Sequence, residues 1–174
     1  MAAVMAGMII QSTPVSFGAL GTPILVGVNT GLSADPAIVA YAAGLGYAEW
    51  TDFLRVVGFR VAVLHAIAGT FVPLILVSFM TRFFGRNRSF VEGLQVWRFA
   101  LFAAFSMTIP YVAAAYLLGP EFPALVGSLF GLAIVVTAAR SGFLLPSPEH
   151  TWEFDESSNW PSDWTGSLQI KDST

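Results

Sequence analysis

Residues 61–80, VAVLHAIAGTFVPLILVSFM, run for 20 residues without a formal charge. As a helix, that run covers about 30 Å, one bilayer hydrocarbon thickness. The rest of the chain agrees with a membrane reading. It is 55% apolar and 11% charged, against roughly 25% charged in an ordinary soluble domain. So few ionised groups cannot clothe the surface of a small water-soluble domain. A soluble enzyme and a disordered chain are both excluded.

The charges are unevenly placed. Residues 1–145 hold seven Arg, no Lys and five acids, a net +2, whereas residues 146–174 hold six acids and Lys171, a net −5. This predicts a lipid-embedded body, 1–145, followed by a polar acidic segment, 146–174. No basic run interleaves with aromatic residues, so nothing points to nucleic acid. The chain has no Cys, which removes disulfides and thiolate chemistry together. Met1 is followed by an apolar run without a basic leader, a poor signal peptide. The opening reads like the middle of a membrane protein, with Met1 an internal methionine or a fragment boundary.

The expected fold is all-α and polytopic. A second span covers 99–118, kinked at Pro110, and a third covers 123–140. The first span is placed at about 57–80, and a helix over 36–52 starts at Asp35-Pro36, an N-cap followed by proline at the first helical position. Between the first two spans, 81–98 carries Arg82, Arg86, Arg88 and Arg98 against Glu92. By the positive-inside rule this loop is cytoplasmic, the reversal at Gly119–Pro123 lies outside, and 146–174 is cytoplasmic again. Asn87-Arg88-Ser89 is then a chance glycosylation triplet.

Residues 1–28 are the most informative stretch. Gln11-Ser12-Thr13-Pro14 interrupts an apolar run, and Ser16, Gly18, Gly21, Thr22 and Pro23 punctuate the next ten residues or so. Each proline removes a backbone donor and obstructs the preceding turn. The segment reads as a broken helix or a re-entrant hairpin. Broken backbone at membrane depth is tolerated only when buried in protein or lining a wet cavity. Transporters use such breaks to offer N–H groups and a partial positive charge to an anion. On this reading Gln11, Ser12, Thr13, Ser16, Gly18, Gly21 and Thr22 bind a small carboxylate. On the other, the segment is a proline-kinked packing helix whose hydroxyls bond back to its own carbonyls.

Other candidates also carry two readings. His65, inside the charge-free span, is a proton-coupling residue or a neutral imidazole bonded to a neighbouring helix. Glu121 accepts protons in an outer vestibule or caps the following helix through its dipole. Arg60 pairs with a substrate carboxylate or snorkels to headgroups. Glu49 and Asp52, three apart, share a helix face and raise one pKa by repulsion, unless exposure erases the effect. Gly127-x-x-x-Gly131 and the Ala62, Ala66, Gly69 face are packing surfaces that need partner helices, from a longer chain or from a second copy. No P-loop, dinucleotide fingerprint or nucleophile elbow is present, and His65 and His150 fall in different compartments, so no cofactor or metal is expected.

QSTPVSFGALGTPILVGV (11–28) resembles the signature stretch of the bacterial L-lactate permease family, which includes glycolate permeases. LGPEFPALVGSLFGLAIV (118–135) is similar to the family's Gly-Pro-Glu-x-Pro reversal and following helix. GFLLP (142–146) with WEFDESSNWPSDWTGS (152–167) resembles its Trp-bearing polar loop. The resemblance implies proton-coupled uptake of lactate or glycolate across the plasma membrane by a multi-pass carrier that is not an enzyme. Family members are considerably longer, so this chain corresponds to a central piece. Two alternatives stand beside the carrier. One is a truncated, non-transporting membrane scaffold. The other is an intramembrane serine enzyme using Ser12 or Ser16 with His65.

Overall fold

The computed structural model describes residues 2–147 and 151–161. His150 and most of the acidic segment, including Lys171, lie outside these residues. The described chain is helical: α1 (Ala2–Ile10), α2 (Gly18–Thr22), α3 (Asn29–Ser33), α4 (Pro36–Gly44), α5 (Trp50–Phe84), α6 (Phe90–Leu94), α7 (Trp97–Leu117) and α8 (Pro123–Arg140). Among the described residues four helical stretches are long and apolar enough to cross a membrane: Val15–Ser33, Trp50–Phe84, Trp97–Leu117 and Pro123–Arg140. The protein is an all-α, multi-pass membrane protein.

Small residues form its interior. Gly58, Ala62 and Gly69 on α5, Ala100, Ala104, Ala114 and Ala115 on α7, and Gly127, Gly131 and Ala138 on α8 are buried. Large apolar side chains point outward, as Leu64, Ile67, Phe71 and Ile75 do along α5. Lipid tails are as apolar as leucine, so helix association comes from close packing rather than from hiding leucine from water. A methyl group on Gly127 would meet Tyr111 Cβ at 2.8 Å, and one on Gly131 would meet Met107 Cα at 3.0 Å. These two glycines set how closely α8 approaches α7.

α5 is longer than the span read from its charge-free run. Its 35 residues reach roughly 50 Å, well beyond one hydrocarbon thickness. The first turns, which carry Asp52, Arg55 and Arg60, therefore extend past the apolar stretch. The helix expected over 36–52 is divided: α4 ends at Gly44 and α5 starts at Trp50. Gly46 at φ +89° takes a left-handed conformation that closes α4 and redirects the chain. Asp35 does cap α4, accepting the Ala37 amide at 2.8 Å.

The opening segment runs antiparallel to α5. Thr13 lies against Gly69, Ser16 against His65, Ile24 near Gly58, and Asn29 accepts from Trp50 Nε1 at 2.6 Å. This steady progression makes it a broken helix that passes along α5. The re-entrant hairpin is the alternative that gives way, because a hairpin would return to the depth from which it came.

At the opposite end of α5, the basic loop meets residues from beyond α8. Gly85 pairs with Phe154 in an antiparallel bridge, the Arg86 amide donates to the Glu153 carbonyl at 3.0 Å, and Arg88 lies 3.8 Å from Asp155. The 151–161 segment thus shares a side with the basic loop.

Candidate functional site

The break begins where α1 ends. Pro14 closes a short irregular stretch, a single 3₁₀ turn covers Val15–Phe17, and Ala19, Leu20 and Gly21 then take φ of +46°, +55° and +78°. Three consecutive left-handed residues, two with a Cβ, cost about 1–2 kcal/mol each for Ala19 and Leu20. A π-helical stretch, Pro23–Val28, comes next. π turns of this kind concentrate at functional positions.

Surrounding contacts fix this conformation. Gly21 is buried against the Pro120 carbonyl, where a Cβ could not fit. Phe17 is fully buried and wedges edge-on between two rings, 6.0 Å from His65 and 5.4 Å from Tyr111. Such edge-to-face pairs add about 0.5–1.5 kcal/mol each. Phe17 therefore anchors the break against α5 and α7.

Beside that anchor runs a chain of polar groups. Ser16 Oγ lies 3.3 Å from His65 Nε2, and His65 Nδ1 lies 3.2 Å from the Tyr111 hydroxyl. Three separate elements, the break, α5 and α7, each contribute one member. Both imidazole nitrogens face groups that can donate or accept, so either tautomer is accommodated. His65 and Ser16 are half-buried, whereas Tyr111 is 2% exposed.

The other residues proposed from the sequence are more scattered. Thr13 is half-buried against Gly69, one turn along α5 from His65. Pro73, inside α5, leaves the Gly69 carbonyl without its helical donor at that same place. Ser12 Oγ donates to the Ile9 carbonyl and Thr22 Oγ1 to the Ala19 carbonyl, both at 2.6 Å. These two hydroxyls turn back on their own backbone. Gln11 is exposed, and Gly18 has open space around it. Ser16 and His65 are brought together; Gln11, Ser12 and Thr22 stay apart from them.

Glu121 belongs to a second place. A cavity of about 390 Å³, at the end of α5 away from the basic loop, is lined by Leu25, Asp52, Arg55, Pro120 and Glu121. It adjoins Gly21, whose α-carbon packs on Pro120 and Glu121. Arg55, rather than Arg60, is the guanidinium that lines it. Among the described residues no group of three His, Asp or Glu side chains is placed to hold a metal ion.

Sequence reasoning missed Tyr111 and Arg55. A tyrosine directly after Pro110 in an otherwise apolar span was a usable signal. Arg55 had none, since its role depends on how the 119–122 turn folds over α5.

Comparison with known proteins places this geometry in context. The family model of L-lactate permeases matches residues 1–163. The chain is also 29% identical over 147 residues to a Haemophilus influenzae protein named "Putative L-lactate permease". That match covers 84% of this chain and 23% of the relative, so the chain spans less than a quarter of that protein's length. No solved structure matches.

Proposed function

The chain belongs to the L-lactate permease family, and on that premise we propose that it forms the central binding region of a secondary transporter. The transporter carries small monocarboxylates, lactate or glycolate, with protons across the plasma membrane. The observation that supports this most strongly is the Ser16–His65–Tyr111 chain at 3.3 and 3.2 Å, which joins the broken helix to the charge-free run of α5 and to α7.

Each part has a chemical use. Unwound backbone at the break offers N–H donors to a carboxylate. Ser16 and Thr13 add hydroxyls beside it. His65 can take or give a proton, and Tyr111 holds the ring through Nδ1. A 2-hydroxy acid bound here leaves its hydroxyl to pair with the imidazole or the phenol. Rocking of the helices around this fixed point would open it to each face in turn. The basic loop faces the cytoplasm by its arginine excess.

The enzyme alternative also draws on Ser16 and His65. In the Ser-His-Asp triad, however, a buried carboxylate stabilises the imidazolium that forms. Here the third group is the neutral phenol of Tyr111. The geometry suits hydrogen bonding to a guest better than covalent attack.

Proton-driven uptake of labelled lactate into proteoliposomes tests the proposal. Ser16→Ala and His65→Gln, made in the complete transporter, should each lower uptake at least about tenfold, the loss of one charge-assisted bond. Both should leave membrane insertion intact. Normal uptake by both variants would refute it.

A further inference from the structure

The cavity at the end of α5 away from the basic loop has a charge arrangement that the central site does not explain. The charged groups facing it are Asp52 and Arg55 from α5 and Glu121 from the turn before α8; the π-helical stretch contributes Leu25. Gly119, in a left-handed conformation at φ +102°, lies between two of them. A methyl group at Gly119 would sit 2.9 Å from Glu121 Oε2 and 3.7 Å from Arg55 Nε. Glu121 and Arg55 thus flank one small space, which stays open because residue 119 has no side chain. They form no ion pair across it, the one ion pair among the described residues being Arg88–Asp155.

A guanidinium in this setting keeps its planar fork free for a carboxylate. The formal charges decide when such an anion can enter. With Asp52 and Glu121 both ionised, the three groups sum to −1 and repel an anion. One proton on Glu121 brings the sum to zero. Anion and proton then favour each other's binding by the same factor.

From this we propose that the Arg55–Gly119–Glu121 cavity is a loading site that admits a small monocarboxylate and one proton together. Arg55 binds the carboxylate and Glu121 carries the proton. The inference rests on the carrier reading above and adds the place where coupling is imposed.

Calorimetric titration of lactate into the full chain in detergent, in two buffers of different ionisation enthalpy, counts the protons taken up per anion. The unsubstituted protein should take up about one. Glu121→Gln should still bind lactate while proton uptake falls clearly below that of the unsubstituted protein. Arg55→Gln should weaken binding at least about tenfold, with partial recovery in Arg55→Lys. Unchanged proton uptake in Glu121→Gln, or unchanged affinity in Arg55→Gln, overturns the loading site. If Ser16→Ala still weakens binding in that case, the carrier reading stands without it. Absence of lactate binding by the unsubstituted protein overturns both.

Discussion

Tyr111 carries two burdens that a single substitution can separate. Its ring packs on Phe17, and its hydroxyl meets His65 at 3.2 Å. Tyr111→Phe keeps the ring and removes the hydroxyl. Interhelical hydrogen bonds of this kind contribute about 0.6 kcal/mol to membrane-protein stability, so thermal unfolding should move little. Lactate uptake should fall roughly tenfold, because His65 loses the partner that fixes its ring. Normal uptake in this variant would make the hydroxyl a packing feature. Residues at this scale were unevenly legible. His65 stood out as an ionisable group inside an uncharged run, and Ser16 as a hydroxyl in a broken one. Their meeting could not be read, because the two lie 49 positions apart in sequence. Ser12 and Thr22 looked equivalent to Ser16 in sequence, yet each finds a carbonyl three residues back. Serine and threonine near a helix end have that local option, and only the three-dimensional path decides which use it.

The broken segment is held in place by the helices it passes. Its prolines and glycines announced an interruption but not its form. Ala19 and Leu20, neither a residue that favours positive φ, adopt the left-handed turn because Phe17 and Gly21 are pinned on either side. Two glycines in the same stretch should respond in opposite ways. Gly21→Ala adds a Cβ at φ +78° against the Pro120 carbonyl and should cost about 2–4 kcal/mol in stability. Gly18→Ala, at φ −60° and ψ 160° with open space around it, should stay within about 0.5 kcal/mol of the parent. Thermal unfolding in detergent compares them; equal effects would mean that the turn is not held as described. A similar tertiary decision splits the stretch expected as one helix over 36–52. Its small and aromatic residues suit a helix throughout, and the bend at Gly46 follows from the need to bring Trp50 to Asn29.

Over the whole molecule, the all-α, multi-pass character was legible because charge is scarce and its positions are telling. Uncharged runs marked the helices, and the arginines marked one loop. The association of residues 151–161 with that loop was not legible, since bridging Gly85 to Phe154 requires α7 and α8 to bring the chain back. It does make orientation testable at two points. Asn87→Cys and Ser158→Cys should both react with an impermeant maleimide from the cytoplasmic face alone; labelling of either from outside would invert the arrangement. Because the chain has no native Cys, the same method reaches the central claim, that the helix is broken in order to seat a hydrophilic guest. Ser16→Cys should react with a small water-soluble methanethiosulfonate although residue 16 is half-buried against α5, and lactate should slow that reaction. A thiol at residue 16 that stays unreactive, or that reacts equally fast with lactate present, would contradict the account.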